Sequence, residues 1–232
     1  MDRAVAIQSS PYGYDNSAVL DAVTGAGGSM KFVGVFRPDV DGSELRPLVE
    51  QGLVGARFNL AASDRQALSG SGVERTLGLF RELDLFVEVL APPDAWRELA
   101  PKLQASGVRV VVDHFGAYVD AQTPPRLPDA EHIARLAGMD RAFVKLTWAN
   151  RLSARQPCYD DLDETVRSLE ARFGLERMLW GSGWPFINCP RKPTYAELLD
   201  NLARWFPDGD KQRRLVWETP ARLFGFSSSG VD

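Results

Sequence analysis

Histidine is the scarcest chemistry-bearing residue in this chain, with two in 232 residues, His114 and His132. A catalytic zinc usually takes about three protein ligands, so a zinc or binuclear site built mainly on imidazoles cannot be assembled within one copy. The carboxylates have no spacing that would hold magnesium, and the expectation is no metal and no cofactor. Cysteine is nearly absent too. Cys158 and Cys189 are too few and too far apart for a disulfide framework, which suits reduced thiols in the cytoplasm. No apolar run approaches the ~20 residues of a membrane span, and the amino terminus, MDRAVAIQSS, has neither the basic region nor the cleavage site of a secretory signal. A basic stripe is missing as well: 27 basic against 31 acidic residues give a formal net charge of −4, which argues against nucleic acid or an anionic membrane as partner. Small molecules remain as the expected ligands.

What is present is ordinary globular material, 44% hydrophobic and 25% charged, enough for one sizeable core and a single domain over residues 1–232. Short apolar runs alternate with helix-period segments. The strands expected are 5–9, 31–37, 54–60, 85–90, 108–114, 142–147 and 178–182, each followed by a helix. Asp15 or Asn16, Asp94 and the Ser71/Glu74 and Thr194/Glu197 boxes are expected to cap helices, while Pro101 should kink or shorten the one it sits in. Seven strand–helix units with short connections predict an α/β fold of the (β/α)8, TIM-barrel-like kind, short by one βα unit at its beginning. An open doubly wound sheet is the alternative.

Nearly every apolar run carries an isolated polar residue near its carboxyl end: Gln8, Arg37, Arg57 with Asn59, Glu88, His114 and Lys145. Buried polar groups are costly unless paired, so their recurrence at equivalent places points to a shared polar site. The competing account is that Arg57, Glu88 and Lys145 neutralise one another. Strict alternation along VRVVVDHFG puts Val110, Val112 and His114 on one face and Asp113 on the other. Cys189 and His132 read as structural or solvent-facing.

Taken together, IQSSPYGYDNSAVLDAV, GVFRPD, GARFNL, VVVDHFG, VKLTWANRLS, LWGSGWPF and ETPARLFGF resemble the amidohydrolase-related family of barrel hydrolases, in the branch that contains 2-pyrone-4,6-dicarboxylate lactonase. The resemblance spans about Ala4 to Phe226. It implies hydrolysis of small lactones or amides by a water held at the barrel mouth, with a divalent metal in some relatives and without one in others. On that resemblance His114 polarises the substrate carbonyl, Arg57 and Arg151 clamp carboxylates and Lys145 pairs structurally; Asn59 and Gln8, from their places at strand ends, join the expected substrate-binding set. Two departures stand out. The family's first strand, ending in His-x-His, has no counterpart, and its last strand usually reads W-G-[ST]-D-W-P-H where this chain has Trp180-Gly181-Ser182-Gly183-Trp184-Pro185-Phe186. The aspartate that serves as base is a glycine, so water activation would fall to Glu88, Asp113 or His114, and hydrolysis of the family type is expected to rise only with a family-like first strand ahead of Met1 and Gly183→Asp together. The expectation is a metal-independent hydrolase of small carboxylated lactones or amides. An inactive or truncated relative that binds a small acid or a partner, and a decarboxylase of the same superfamily, are the alternatives. A barrel open at its edges would also favour a homo-oligomer.

Overall fold

The computed structural model describes residues 2–60, 67–68, 70, 72–118, 126–187, 189 and 191–227. The chain falls into two compact units, Met1–Val111 and Val112–Asp232.

The first unit alternates β1 (Ala4–Ile7), α1 (Ser17–Gly25), β2 (Met30–Gly34), α2 (Gly42–Glu50), β3 (Leu53–Asn59), α3 (Val73–Glu82), β4 (Phe86–Leu90) and α4 (Trp96–Ser106). The four strands pair in parallel and in chain order. β4 is buried along its whole length, as a strand covered on both faces must be, and this is why its sequence is an almost unbroken apolar run. Gly55 on β3 makes the β3–β4 contact possible: a Cβ there would come within 2.6 Å of the Phe86 ring, which lies across the glycine.

Two expectations for α4 change here. Ala95 rather than Asp94 stands before α4, and Asp94 takes part through its backbone carbonyl, which accepts from the Arg97 amide at 3.2 Å. Pro101 does not shorten α4, which runs on to Ser106 and stops at Gly107 in the left-handed conformation. Pro101 and Arg97, one turn earlier, both face solvent, where water can take the carbonyl that the proline leaves without its bond. The opposite face, Trp96, Leu99, Ala100 and Leu103, is buried and holds the helix down. Ser71 of the expected capping box lies outside the described residues.

β5 (Val110–Val112) crosses the boundary between the units. The second unit continues with α5 (Ala130–Ala137), β6 (Ala142–Leu146), α6 (Ala149–Leu152), α7 (Asp163–Phe173), β7 (Met178–Trp180), α8 (Tyr195–Trp205), α9 (Gly209–Arg213) and α10 (Thr219–Phe224). β6 and β7 are parallel. Thr194 caps α8 as expected, accepting from the Glu197 amide, but the Glu197 carboxylate does not complete the box. It takes two bonds from Arg191 at 2.6 and 2.7 Å and one from the hydroxyl of Tyr159 at 2.7 Å. The Tyr159 ring is fully buried, and burial together with the Glu197 charge raises its phenol well above the ordinary value.

His132 is buried on α5 beside Ile133 and Leu136, not solvent-facing. Burial lowers its pKa from the ordinary 6.5, with a smaller opposing contribution from the Gly116 backbone. A folded-state pKa below the unfolded value means the unfolded chain binds the proton more readily. The His132 contribution is therefore complete above about pH 6.5 and is lost as pH falls below it toward the folded-state value. Denaturant unfolding between pH 5 and 8 should show a steeper acid-side loss in the parent than in His132→Gln; parallel curves would refute this.

Candidate active site

In the first unit the register sets Arg57 on β3 directly beside Glu88 on β4. Both are buried, and Nε of Arg57 meets Glu88 Oε1 at 3.1 Å while a terminal nitrogen reaches the Ser10 hydroxyl at 3.2 Å. Arg57 thus has an internal carboxylate. Gln8 gives its amide to the Asp15 carbonyl at 2.5 Å, and Asn59 ends β3 half-buried. Of the polar residues expected to neutralise one another, Arg57 and Glu88 do so.

In the second unit Asp113, His114, Lys145 and Thr147 come together. β5 ends at Val112, and the next residues do not continue the pleat: His114, Phe115 and Gly116 take positive φ values of 50°, 61° and 75°. This overturns the sidedness expected from strict alternation. Asp113 and His114 share one site because the backbone turns between them, and the Asp113 carboxylate lies against its own neighbour as well as against Lys145 of β6. Its Oδ1 lies 2.9 Å from the Lys145 ammonium and its Oδ2 lies 3.3 Å from Nε2 of His114. Lys145 therefore pairs with Asp113.

The other imidazole nitrogen, Nδ1, is 2.7 Å from the Thr147 hydroxyl. Thr147 follows β6 directly, and its orientation is fixed from behind: a Cβ at Gly181 would sit 2.8 Å from its methyl group, so the glycine gives the methyl its place and leaves the hydroxyl facing His114. The His114 ring stacks on Trp148 with centroids 4.0 Å apart and planes within 6°. Arg151, on α6, holds its guanidinium 5.0 Å from the centre of the same indole, a cation–π arrangement that orients a planar fork. Trp148 is itself at φ 65°, so three non-glycine residues around this cluster, His114, Phe115 and Trp148, hold backbone conformations that cost about 1–3 kcal/mol each. Such strain persists where the surroundings over-determine it, and functional sites are where it collects.

Thr147 and Trp148 also border a small crevice of about 10 Å³, room for about one water, together with Gly181, Ser182, Asn201 and Trp205. Neither Thr147 nor Trp148 was singled out for chemistry by the sequence. Threonine at the end of a β-branched run reads as a strand former, and only its place two residues after Lys145 could have drawn attention to it.

Position 183 is filled from the side. Gly183 has φ 72°, and a Cβ there would lie 2.5 Å from Cδ1 of Trp148. The indole that stacks on His114 stands where an aspartate side chain would begin, so the expectation that Gly183→Asp supplies a base meets an occupied space. The described donors also do not fit a zinc. His114 has both ring nitrogens facing Asp113 and Thr147, and among the described residues no group of three or more His, Cys, Asp or Glu side chains is arranged to hold a metal ion. Cys158 and Cys189 are free thiols, and no helix among the described residues is long and apolar enough to cross a membrane.

A family model described as amidohydrolase matches residues 1–226. A 4-sulfomuconolactone hydrolase from Rhizobium radiobacter is 32% identical over 97% of this chain and 76% of its own length. A 2-pyrone-4,6-dicarboxylate hydrolase from Comamonas testosteroni is 26% identical over 96% and 75%. Among solved structures, a probable 2-pyrone-4,6-dicarboxylic acid hydrolase from Acinetobacter baumannii with citric acid bound aligns with a TM-score of 0.85 at 26% identity, covering 97% of this chain and 84% of that one. The fold is TIM-barrel-like, with seven strands among the described residues.

Proposed function

The chain belongs to the amidohydrolase family, and from that premise we propose that it hydrolyses a small anionic lactone without a metal ion. The observation that carries the reading is the chain of contacts from Asp113 through His114 to Thr147, beside a guanidinium held on Trp148. A carboxylate and an imidazole in contact can move a proton during acyl transfer, and proton transfer by a positioned side chain contributes about 10²–10⁴ in rate. This geometry supports His114 as the proton-handling group more than as a donor to the carbonyl, since both ring nitrogens already face protein partners. Arg151, whose guanidinium lies 5.0 Å from the centre of the Trp148 ring that stacks on His114, is the candidate for a carboxylate or sulfonate on the substrate.

The test is turnover of 2-pyrone-4,6-dicarboxylate and 4-sulfomuconolactone by the purified chain, followed by loss of ring absorbance. Turnover should survive dialysis against a chelator, and Arg151→Ala should raise KM by about tenfold, the effect of losing one charge-assisted hydrogen bond. Activity that disappears with the chelator and returns with zinc would overturn the metal-free part. A second reading, an inactive relative that binds a small acid, is favoured by one observation, the indole occupying the space beside Gly183. A melting temperature raised by small dicarboxylates with no turnover of either lactone would select it.

A further inference from the structure

We propose that Cys189 is a site of reversible oxidation by a peroxide, with the side-chain amide of Asn150 holding the sulfenic acid that forms. The Cys189 sulfur, half-buried in the segment between β7 and α8, accepts from Nδ2 of Asn150 at 3.0 Å and donates to the Arg191 carbonyl at 2.8 Å. The Asn150 side chain belongs to α6 and is 2% exposed, yet its Oδ1 is a buried acceptor with no donor among the described residues. Buried polar atoms nearly always find a partner, and one that does not calls for an explanation. The amide sets a donor and an acceptor on one planar group, and its donor is already on the sulfur. A thiol has a single hydrogen, which Cys189 gives to the Arg191 carbonyl, so the reduced side chain does not serve Oδ1. A sulfenic acid can. Its oxygen is bonded to the sulfur that Nδ2 faces, and it brings a lone pair for the amide N–H and an O–H for the amide oxygen. The Arg191 carbonyl then loses its donor, but that contact is exposed and water replaces it.

The peroxide is the oxidant, and the step balances with it. The Cys189 sulfur attacks one oxygen of hydrogen peroxide, the oxygen–oxygen bond breaks, and the departing hydroxide takes the thiol proton and leaves as water. Sulfur is oxidised by an electron pair and the peroxide is reduced by the same pair. A small thiol reverses the change: it displaces the sulfenic oxygen as water to give a mixed disulfide, and a second thiol releases Cys189. Cys158 is the internal comparison. It is the more exposed of the two thiols, and the contact made at that residue is Arg204 on its backbone carbonyl at 2.9 Å, which does nothing for an oxidised sulfur. Asn150 is also held from its other side, where its backbone carbonyl accepts from the side-chain amide of Gln156. Oxidation needs no lactone, so the inference stands or falls apart from the hydrolase reading.

The experiment treats the reduced full chain with a small excess of hydrogen peroxide, traps sulfenic acid with dimedone, and measures the label at both cysteines by peptide mapping and mass spectrometry. The expected result is label at Cys189 exceeding label at Cys158 by about fivefold or more, the effect of roughly one net hydrogen bond, and removed by dithiothreitol added before the dimedone. In Asn150→Ala, shown to be folded by circular dichroism and urea unfolding, the excess at Cys189 should disappear. The comparison of the two thiols within the parent carries the same test if that variant does not fold. Cys158→Ser removes the second thiol and with it any disulfide that could consume the sulfenic acid, and it should keep the label at Cys189. Label at Cys158 equal to or above that at Cys189 in the folded parent, unchanged label at Cys189 in Asn150→Ala, or no trapped sulfenic acid at Cys189 in either the parent or Cys158→Ser overturns the proposal.

Discussion

Asp113→Ala is expected to cost about 3–5 kcal/mol of stability, the range for breaking a buried ion pair by removing one partner. The carboxylate is 1% exposed, so the loss cannot be made good by water entering from outside. Its Oδ1 lies 2.9 Å from the Lys145 ammonium and its Oδ2 lies 3.3 Å from Nε2 of His114, and both lose that neighbouring charge together. The price falls on charge more than on volume. Asp113→Ala combined with Lys145→Met should therefore recover a large part of the loss, since replacing both members of a buried pair by apolar groups is often close to neutral. Urea unfolding of the parent, both single variants and the double variant gives the coupling directly. A double variant no more stable than Asp113→Ala would mean that Lys145 is not what Asp113 compensates. Because Asp113 also orients His114, the double variant should regain stability without regaining turnover, which separates the structural contribution of the carboxylate from its chemical one.

The strand–helix alternation was legible because period and composition are local properties. β4 and the Val110–Val112 strand are read from unbroken apolar runs, and Thr194 caps its helix by side-chain acceptance, as its position before an amphipathic segment implies. The polar exceptions at strand ends were legible for the same reason, and so was the family. What was not legible depends on backbone conformations that the residue types do not announce. Phenylalanine and tryptophan are not residues that signal a left-handed turn, and histidine signals one only weakly, yet His114, Phe115 and Trp148 all adopt one. Those three angles decide the site: they bring Asp113 and His114 to one place against strict alternation, and they lay Trp148 over the imidazole. Asp94 failed as a cap for a milder reason, since its backbone carbonyl serves the turn that its side chain was expected to serve.

Gly183→Asp, the substitution that restores the family's usual residue, is expected to lower stability by about 2–4 kcal/mol and to bring no gain in hydrolysis. Two costs add. An L-residue in the left-handed region at φ 72° costs roughly 1–2 kcal/mol, somewhat less for aspartate than for a branched side chain, and forcing atoms into a filled space costs about 1–3 kcal/mol. The filled space is the Trp148 ring, whose Cδ1 would be 2.5 Å from the new Cβ. Trp148 can yield only by leaving its stack on His114 and carrying the Arg151 contact with it, so a base gained at position 183 would come with the loss of the imidazole's support. Trp148→Ala combined with Gly183→Asp should recover the crowding component and leave the backbone component, while weakening lactone binding through Arg151. Denaturant unfolding and lactone turnover measured on Gly183→Asp and on the double variant check both halves. If Gly183→Asp unfolds with the parent's stability and hydrolyses lactone faster, the indole does not exclude a side chain at position 183, and the family's usual base remains open to this chain by a single substitution.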